Sequence, residues 1–527
     1  MAMNYYIGIG GTGARVAESL LHLCAAGYGP NRLKLFIIDP DEGNGNLSRT
    51  KELIARYQTA RRHLQDQAAP GFPLFATEIS TPDPLVWSIF EHGNTRLADY
   101  INYANLKSAD RPLHDLAGLL FTQAELREQL DEGFRGHPSI GAVVMAEPDE
   151  DADPWRSFWT DVEKAQKPGD VRVFLAGSIF GGTGAAGVPT FGAPEMIKFH
   201  PRAKIDDATS KVQLGACLVL PYFTFDTAGA TGPEAQRLFV TAADFPIATK
   251  AALQFYNEKD LAYDQLYLVG DSLAQSVGDF SPGSAKQENR PHYVELAAAL
   301  AAEDFLLQPE GENPSGRYYI AGRRGKEVGW QSLPLTHDAE QVTARRDLLK
   351  RRLVAMATFA YAFLEFGYPL LDTPPGDVDY AWHEDHFYPK KGVFRRDESR
   401  DPRQPEQKAV LTAVKEYSER FLAWAAALDE GADGPVALLN RSRLLNGGDT
   451  VDHEQELAAI GTFLRESSKE LDFNHFKNLL DQPTTLSDRL SPAGKYAGLF
   501  YEAARRFAEE NYAVTPTPGR AGATADR

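Results

Sequence analysis

Cysteine is nearly absent. Cys24 and Cys217 are the only two in 527 residues, and both stand in apolar surroundings. A disulfide framework is thereby excluded. No apolar run approaches the roughly 20 residues that span a bilayer, and the first residues show no basic-then-apolar signal pattern. The expectation is a cytoplasmic protein without membrane insertion. Positive charge is in deficit: 55 Lys and Arg stand against 73 Asp and Glu, a net charge of −18. That argues against broad binding of a nucleic-acid backbone. It leaves a nucleotide site open, because glycine loops bind anions through backbone N–H groups. Neither glycine-rich loop of the chain ends in Gly-Lys-Ser/Thr, so a P-loop kinase or NTPase is disfavoured. There is no internal repeat. His383-Glu384-Asp385-His386 is not HExxH and lies in an irregular charged stretch, so no metal site is assigned to it. The basic clusters Arg345-Arg346, Lys350-Arg351-Arg352 and Arg395-Arg396 read as solvated faces.

What the chain does have is glycine at selected places. Phe174–Val188 reads FLAGSIFGGTGAAGV. An apolar run, Val171–Ala176, leads into the loop Gly177–Gly184, and Ala185, Ala186 and Val188 open a packed helix, with Pro189 in its first turn. Strand, glycine loop and helix present bare backbone N–H groups to an anion. Glycine leaves room for a phosphate and permits φ > 0. The Thr183 hydroxyl can hold a phosphate oxygen or a metal-bound water. An ordinary tight turn is the alternative. A second such unit starts the chain. Asn4–Ile9 is strand-like, Gly8-Ile9-Gly10-Gly11-Thr12-Gly13 follows, and Ala14–Ala26 alternates apolar and polar positions at helical spacing. Two units suggest two walls of one phosphate site.

At 527 residues the chain exceeds one ordinary core, so two domains are expected. Leu33–Ile38 reads as a second buried strand ending in Asp39-Pro40-Asp41, followed by the polar loop Gly43–Asn46. Residues 50–130 read as mostly helical. Gly133–Gly141 is a third glycine-bearing loop. Val212–Leu220 and Gln265–Val269 read as strands, and His292–Leu307 as an apolar helix with Asn289 at its start. Strands alternating with helices predict an α/β domain, a Rossmann-like, mostly parallel sheet with helices on both faces. The expected division is 1–310 for that domain, 311–512 for a mainly helical C-terminal domain and 513–527 for a flexible tail.

Five segments in this order resemble the tubulin/FtsZ superfamily of GTP-binding proteins, and among them the poorly characterised tubulin-like proteins of bacteria. FGGTGAAG resembles the family's GGGTGSG signature, with Phe180 where the first glycine usually stands. GIGGTGARV resembles the first loop of FtsZ. Gly136–Gly141, GHPSIG, resembles the third phosphate loop. Pro221–Asp226, PYFTFD, resembles Pro-Phe-x-Phe-Glu, and IIDPD resembles a second-strand end carrying an Asp. The matches span residues 5–307, and the remainder departs from the family's second domain.

The resemblance implies GTP or GDP with Mg²⁺ as ligand. Gly10, Gly11, Thr12 and Gly13 would surround the α- and β-phosphates, and Gly181, Gly182, Thr183 and Gly184 the terminal ones. Ser139 and Gly141 would close over the γ-phosphate, and Asp39 would face magnesium-bound waters. Asp226 stands where the family binds ribose, while Asn289 and Tyr293 stand where it reads and stacks on guanine. It also implies head-to-tail self-association, with the nucleotide between copies, and slow or partner-dependent hydrolysis. The family's water-positioning Asn-x-Asp pattern is missing, and Glu310 and Glu312 are the only carboxylates near its place. Two rivals stay open. One is a NAD(P)-binding Rossmann oxidoreductase, since Gly8-x-Gly10-x-x-Gly13 with Asp39 fits that fingerprint. The other is a scaffold that uses nucleotide only to set its shape toward protein partners not identified by the sequence.

Overall fold

The apolar runs become strands. A computed structural model of the chain describes residues 2–64, 73–88, 95–130, 134, 137–226, 245–271, 275–279, 289–308, 317–321, 339–374, 378, 380–388, 398–428, 473–484, 486–487 and 489–511. The strands are β1 (Met3–Ile9), β2 (Arg32–Ile38), β3 (Glu78–Ser80), β4 (Val86–Trp87), β5 (Val171–Ser178), β6 (Val212–Val219), β7 (Phe223–Asp226), β8 (Gln265–Val269), β9 (Gln275–Asp279) and β10 (Arg317–Ala321). The main sheet runs β10-β8-β6-β5-β1-β2-β3, with β4 also beside β2. Its pairings are all parallel. A parallel sheet is covered on both faces, which is why its strands are continuous apolar runs; all eight residues of β5 are buried. β7 and β9 pair apart from it.

The strand order reverses between β1 and β5. From β1 the chain moves to β2 on one side, and from β5 to β6 on the other. A reversal of this kind opens a crevice at the carboxyl ends of the two central strands. Both glycine loops follow those two strands.

The helices that matter here are α1 (Gly10–Ala25), α2 (Gly45–Leu64), α3 (Pro138–Met145), α4 (Trp155–Lys164), α5 (Thr183–Gly192), α6 (Phe245–Glu258), α7 (Tyr293–Leu306), α8 (Ala339–Ala362), α9 (Pro405–Leu428), α10 (Phe473–Leu480) and α11 (Pro492–Asn511). One sheet face carries α3, α4 and α5, with Val144, Trp155, Phe158 and Phe191 against Tyr5, Ile7 and Phe36. The other carries α1, α2 and α7. Over these lies a second helical layer, α8, α9 and α11, in one continuous apolar cluster with them. Trp424 Nε1 donates to Ser19 Oγ at 3.1 Å, and Tyr417 O–H to the Leu21 carbonyl at 3.1 Å.

Four features differ from the sequence expectations. α5 begins at Thr183, so Pro189 lies inside the helix and not in its first turn. Two short strands, β3 and β4, interrupt the stretch read as mostly helical; at three and two residues they are too short to show a period. β10, where the sequence suggests a strand at Arg317–Ile320, pairs with β8 and so carries the sheet past the boundary expected at 310. The C-terminal helices share one apolar core with the α/β part of the chain, because α1 and α2 leave an apolar face that the sheet cannot cover. The segment Asp347–Leu370 has the length and apolarity to cross a bilayer, and 67% of its 18-residue apolar stretch is buried inside the protein. The tail at 513–527 lies outside the described residues.

Trp424→Ala is expected to cost about 3–5 kcal/mol, by loss of its packing and its bond to Ser19. Urea unfolding followed by circular dichroism and by fluorescence should give coincident transitions. Two separate transitions would mean that the C-terminal helices fold as an independent unit.

Candidate functional site

The two glycine loops touch. Gly10 has φ +71°, a conformation that favours glycine, and a Cβ there would lie 3.2 Å from Thr183 Cβ and 3.5 Å from Gly184 N. A Cβ on Gly13 would lie 2.6 Å from the Gly8 carbonyl carbon and 2.7 Å from Ala176 O, so α1 rests directly on β1 and β5. Ile9 caps α1 and Gly182 caps α5; neither supplies a side-chain hydrogen bond, and neither helix has an acidic residue in its first turn. The N–H groups of a first helical turn have no partner within the helix. Two helix N-termini, each with its positive dipole end, therefore converge where the loops meet. Gly11, Gly181, Gly182 and Thr183 are partly exposed there, whereas Gly10, Thr12 and Gly13 are buried.

Polar side chains wall the first loop. Asn44 Nδ2 would be 3.2 Å from a Cβ on Gly11. Asn44 Oδ1 caps the next helix by accepting from Asn46 N at 2.9 Å. Asn46 and Asn289 bond reciprocally: Asn289 N donates to Asn46 Oδ1 at 2.8 Å, and Asn46 Nδ2 to Asn289 Oδ1 at 3.2 Å. Arg49 holds Glu18 with bonds of 2.8–3.0 Å and donates to the Asn289 carbonyl at 2.9 Å.

Beneath the loop lies Arg15, 3% exposed. Its Nε donates to Glu295 Oε1 at 2.5 Å, Nη1 to Asn289 Oδ1 at 3.3 Å, and Nη2 to Thr12 Oγ1 at 3.2 Å and Tyr222 Oη at 2.7 Å. Tyr222 O–H in turn donates to Glu295 Oε1 at 2.5 Å. Burial works to lower the Arg15 pKa, but Tyr222 and Glu295 outweigh it and hold the guanidinium above its ordinary value. Burial likewise raises the Glu18 pKa against the opposing pull of Arg49.

Asp39 closes the carboxyl end of β2. Its Oδ1 accepts from Asp41 N at 3.1 Å, and its buried Oδ2 has no hydrogen-bond partner. Burial lifts it from 3.8 to about 7, with the Asp41 N–H opposing and the Asp41 carboxylate adding to the rise.

The structure thus brings together Gly10, Gly11, Thr12, Gly13, Gly181, Gly182, Thr183 and Gly184, with Asn289 beside them. Ser139 is exposed in the first turn of α3, and Gly141 is buried where α3 crosses α5; a Cβ on it would lie 2.5 Å from Ala186 Cβ and 2.7 Å from the Phe134 ring. Gly136 lies outside the described residues. Asp226 ends β7, apart from the main sheet. Tyr293 opens α7 and is buried, its ring 4.8 Å from that of His292. Glu310 and Glu312 lie outside the described residues. The sequence reading passed over Arg15, Glu18, Asn44, Asn46, Arg49, Tyr222 and Glu295. A signal for three of them was present: Arg15, Glu18 and Glu295 are charges inside apolar helix text, and a charge cannot be buried unpaired.

No protein-family model matches the chain, and no curated protein matches it.

The Asp39 shift sets a pH dependence. Between pH 3.8 and about 7 the folded state keeps a proton that the unfolded chain has lost, so stability falls as pH rises through that window. The effect is at most about 4 kcal/mol. Asp39→Asn should therefore be more stable than the parent at pH 8 and equal to it near pH 4, read from urea midpoints at both values. Equal midpoints at pH 8 would mean that Asp39 is solvated there.

Proposed function

We propose that this chain binds a guanine nucleoside triphosphate with magnesium at the junction of its glycine loops and works as a nucleotide-dependent switch. One observation carries the proposal: two helix N-termini without side-chain caps converge at the point where the strand order reverses, with Gly10 packed on Thr183 and Gly184. Dipole ends and unclaimed N–H groups favour an anion there. The chain carries excess negative charge, yet no carboxylate stands in either first turn. The fit extends to the cation. Magnesium arriving on phosphates keeps several waters, and the unpartnered Asp39 Oδ2 and the Thr183 hydroxyl are the groups able to order them.

The choice of guanine rests on the resemblance of the five segments to the tubulin/FtsZ superfamily, and on Asn289 at the head of α7. A dinucleotide is the second candidate ligand. Gly13 packed on Gly8, with Asp39 ending β2, is the arrangement that a Rossmann dinucleotide site uses. The contact between the two loops favours the mononucleotide, because a dinucleotide needs only the first.

Phosphoryl transfer asks a protein mainly for positioning and electrostatic stabilisation. The glycine loops supply the second. The Asn-x-Asp pattern with which the tubulin/FtsZ superfamily orients water is missing from the sequence after α7, so binding is expected to outpace hydrolysis.

Two experiments test this. Titration with fluorescent GTP, ATP and NAD should give tightest binding for GTP, and Gly182→Trp should weaken it at least 100-fold with the urea midpoint unchanged. Preference for NAD would replace the proposal with the dinucleotide, and undiminished binding by the variant would misplace the site. Phosphate release by the purified protein should be slow at every protein concentration. Fast release that rises with concentration would mean that copies of the chain complete one another's sites, in the manner of head-to-tail assembly.

A further inference from the structure

Arg15 lies where a phosphate-binding arginine would be useful, but it is not available to a ligand. Its guanidinium has five N–H donors, and four are spent on Glu295, Asn289, Thr12 and Tyr222. It is 3% exposed. Its influence must pass through the groups it holds.

Thr12 is the one of those groups on the glycine loop. A threonine hydroxyl has one hydrogen to give and two lone pairs to receive with. Arg15 Nη2 occupies a lone pair at 3.2 Å. The hydrogen is then the part of the hydroxyl left over, and no acceptor for it is present among the described residues. Arg15 also balances Glu295, 1% exposed, whose carboxylate would otherwise put an uncompensated negative charge beneath an anion site. Tyr222 completes the arrangement by receiving from Arg15 and giving to Glu295.

Resting on the reading of the loop junction as a phosphate site, we propose that Arg15 is its positioning residue: by donating to Thr12 Oγ1 it turns the Thr12 hydroxyl into a fixed hydrogen-bond donor toward a bound phosphate. Glu295 and Tyr222 hold the guanidinium in the orientation that does this. Glu295 stands in the first turn of α7, and Asn289 precedes its cap residue His292, so the same guanidinium ties the loop to the start of that helix. A bound phosphate that pulls on Thr12 therefore also loads the Arg15–Glu295 pair.

Removing Arg15 alone would strand the Glu295 carboxylate and cost folding stability. The test uses the paired variant Arg15→Met with Glu295→Met, which replaces the ion pair by apolar groups, and Thr12→Val, which removes the hydroxyl at nearly constant shape. All are measured on the full chain for urea midpoint and for affinity toward fluorescent GTP and inorganic triphosphate. The expected result is about tenfold weaker binding for the paired variant and for Thr12→Val. Combined, they should weaken it no further, since both act through one hydroxyl. Arg15→Lys keeps the charge but cannot span four partners, so it should bind as weakly as the paired variant while folding normally. A merely structural Arg15 would give losses that add to that of Thr12→Val, or none beyond the change in midpoint, and either would overturn the proposal. If the parent binds neither GTP nor inorganic triphosphate, the phosphate site itself falls, and this proposal with it.

Discussion

Helix α1 is buried on every side, and that constraint organises the molecule. Fifteen of its sixteen residues are inside. One flank lies on β1 and β5, where Gly8 and Gly13 let the backbones meet. The others are closed by α2, α7 and the C-terminal helices. A helix so placed can carry polar side chains only if each finds a partner. Arg15 finds Glu295, Glu18 finds Arg49, Ser19 finds Trp424 and His22 meets Tyr417. The partners come from three separate helices, α7, α2 and α9, so the polar positions of one helix select what packs around it. His22 shows the cost: burial, with Arg49 nearby, lowers its pKa to about 3, so it stays neutral at ordinary pH.

The same burial fixes the candidate site. With α1 unable to shift, Gly10–Gly13 is held at the carboxyl end of β1, and Gly181–Gly184 is held at the end of β5 next to it. Their convergence is a consequence of sheet order. The polar wall of Asn44, Asn46 and Asn289 then stands on two elements that α1 also anchors, through Arg49–Glu18 on one side and Arg15–Glu295 on the other. Two buried ion pairs, each bracketed by hydrogen bonds, frame the opening. Ion pairs of this kind add less to stability than to the choice of one arrangement. Here Arg15–Glu295 joins α1 to the first turn of α7, and Arg49–Glu18 joins it to α2.

The C-terminal helices are part of this arrangement and not an appendage. Tyr417 and Trp424 reach α1, and Arg345 pairs with the buried Asp304 of α7 at 3.0 Å. α7 therefore touches the candidate site at its first turn and the outer helical layer at its last.

The sequence by itself determined the parallel α/β sheet, the two glycine loops and the expectation that they share one site. Those features are local: apolar runs of strand length, glycine where backbones must be bare, and alternation of strands with helices. Arg15, Glu295 and Tyr222, spread over 280 residues, meet only through tertiary structure. So do Asn46 and Asn289, 243 residues apart. The text of α1 alternates apolar and polar positions at helical spacing, and so marks a polar face. Only the packed structure shows that face covered, because an amphipathic pattern records where apolar groups are and not which partners will bury the polar ones. A separate C-terminal domain was expected from length and composition. Composition shifts after residue 308, but whether two stretches share a core is decided by the faces they leave uncovered, and α1 and α2 left one that α8, α9 and α11 fill.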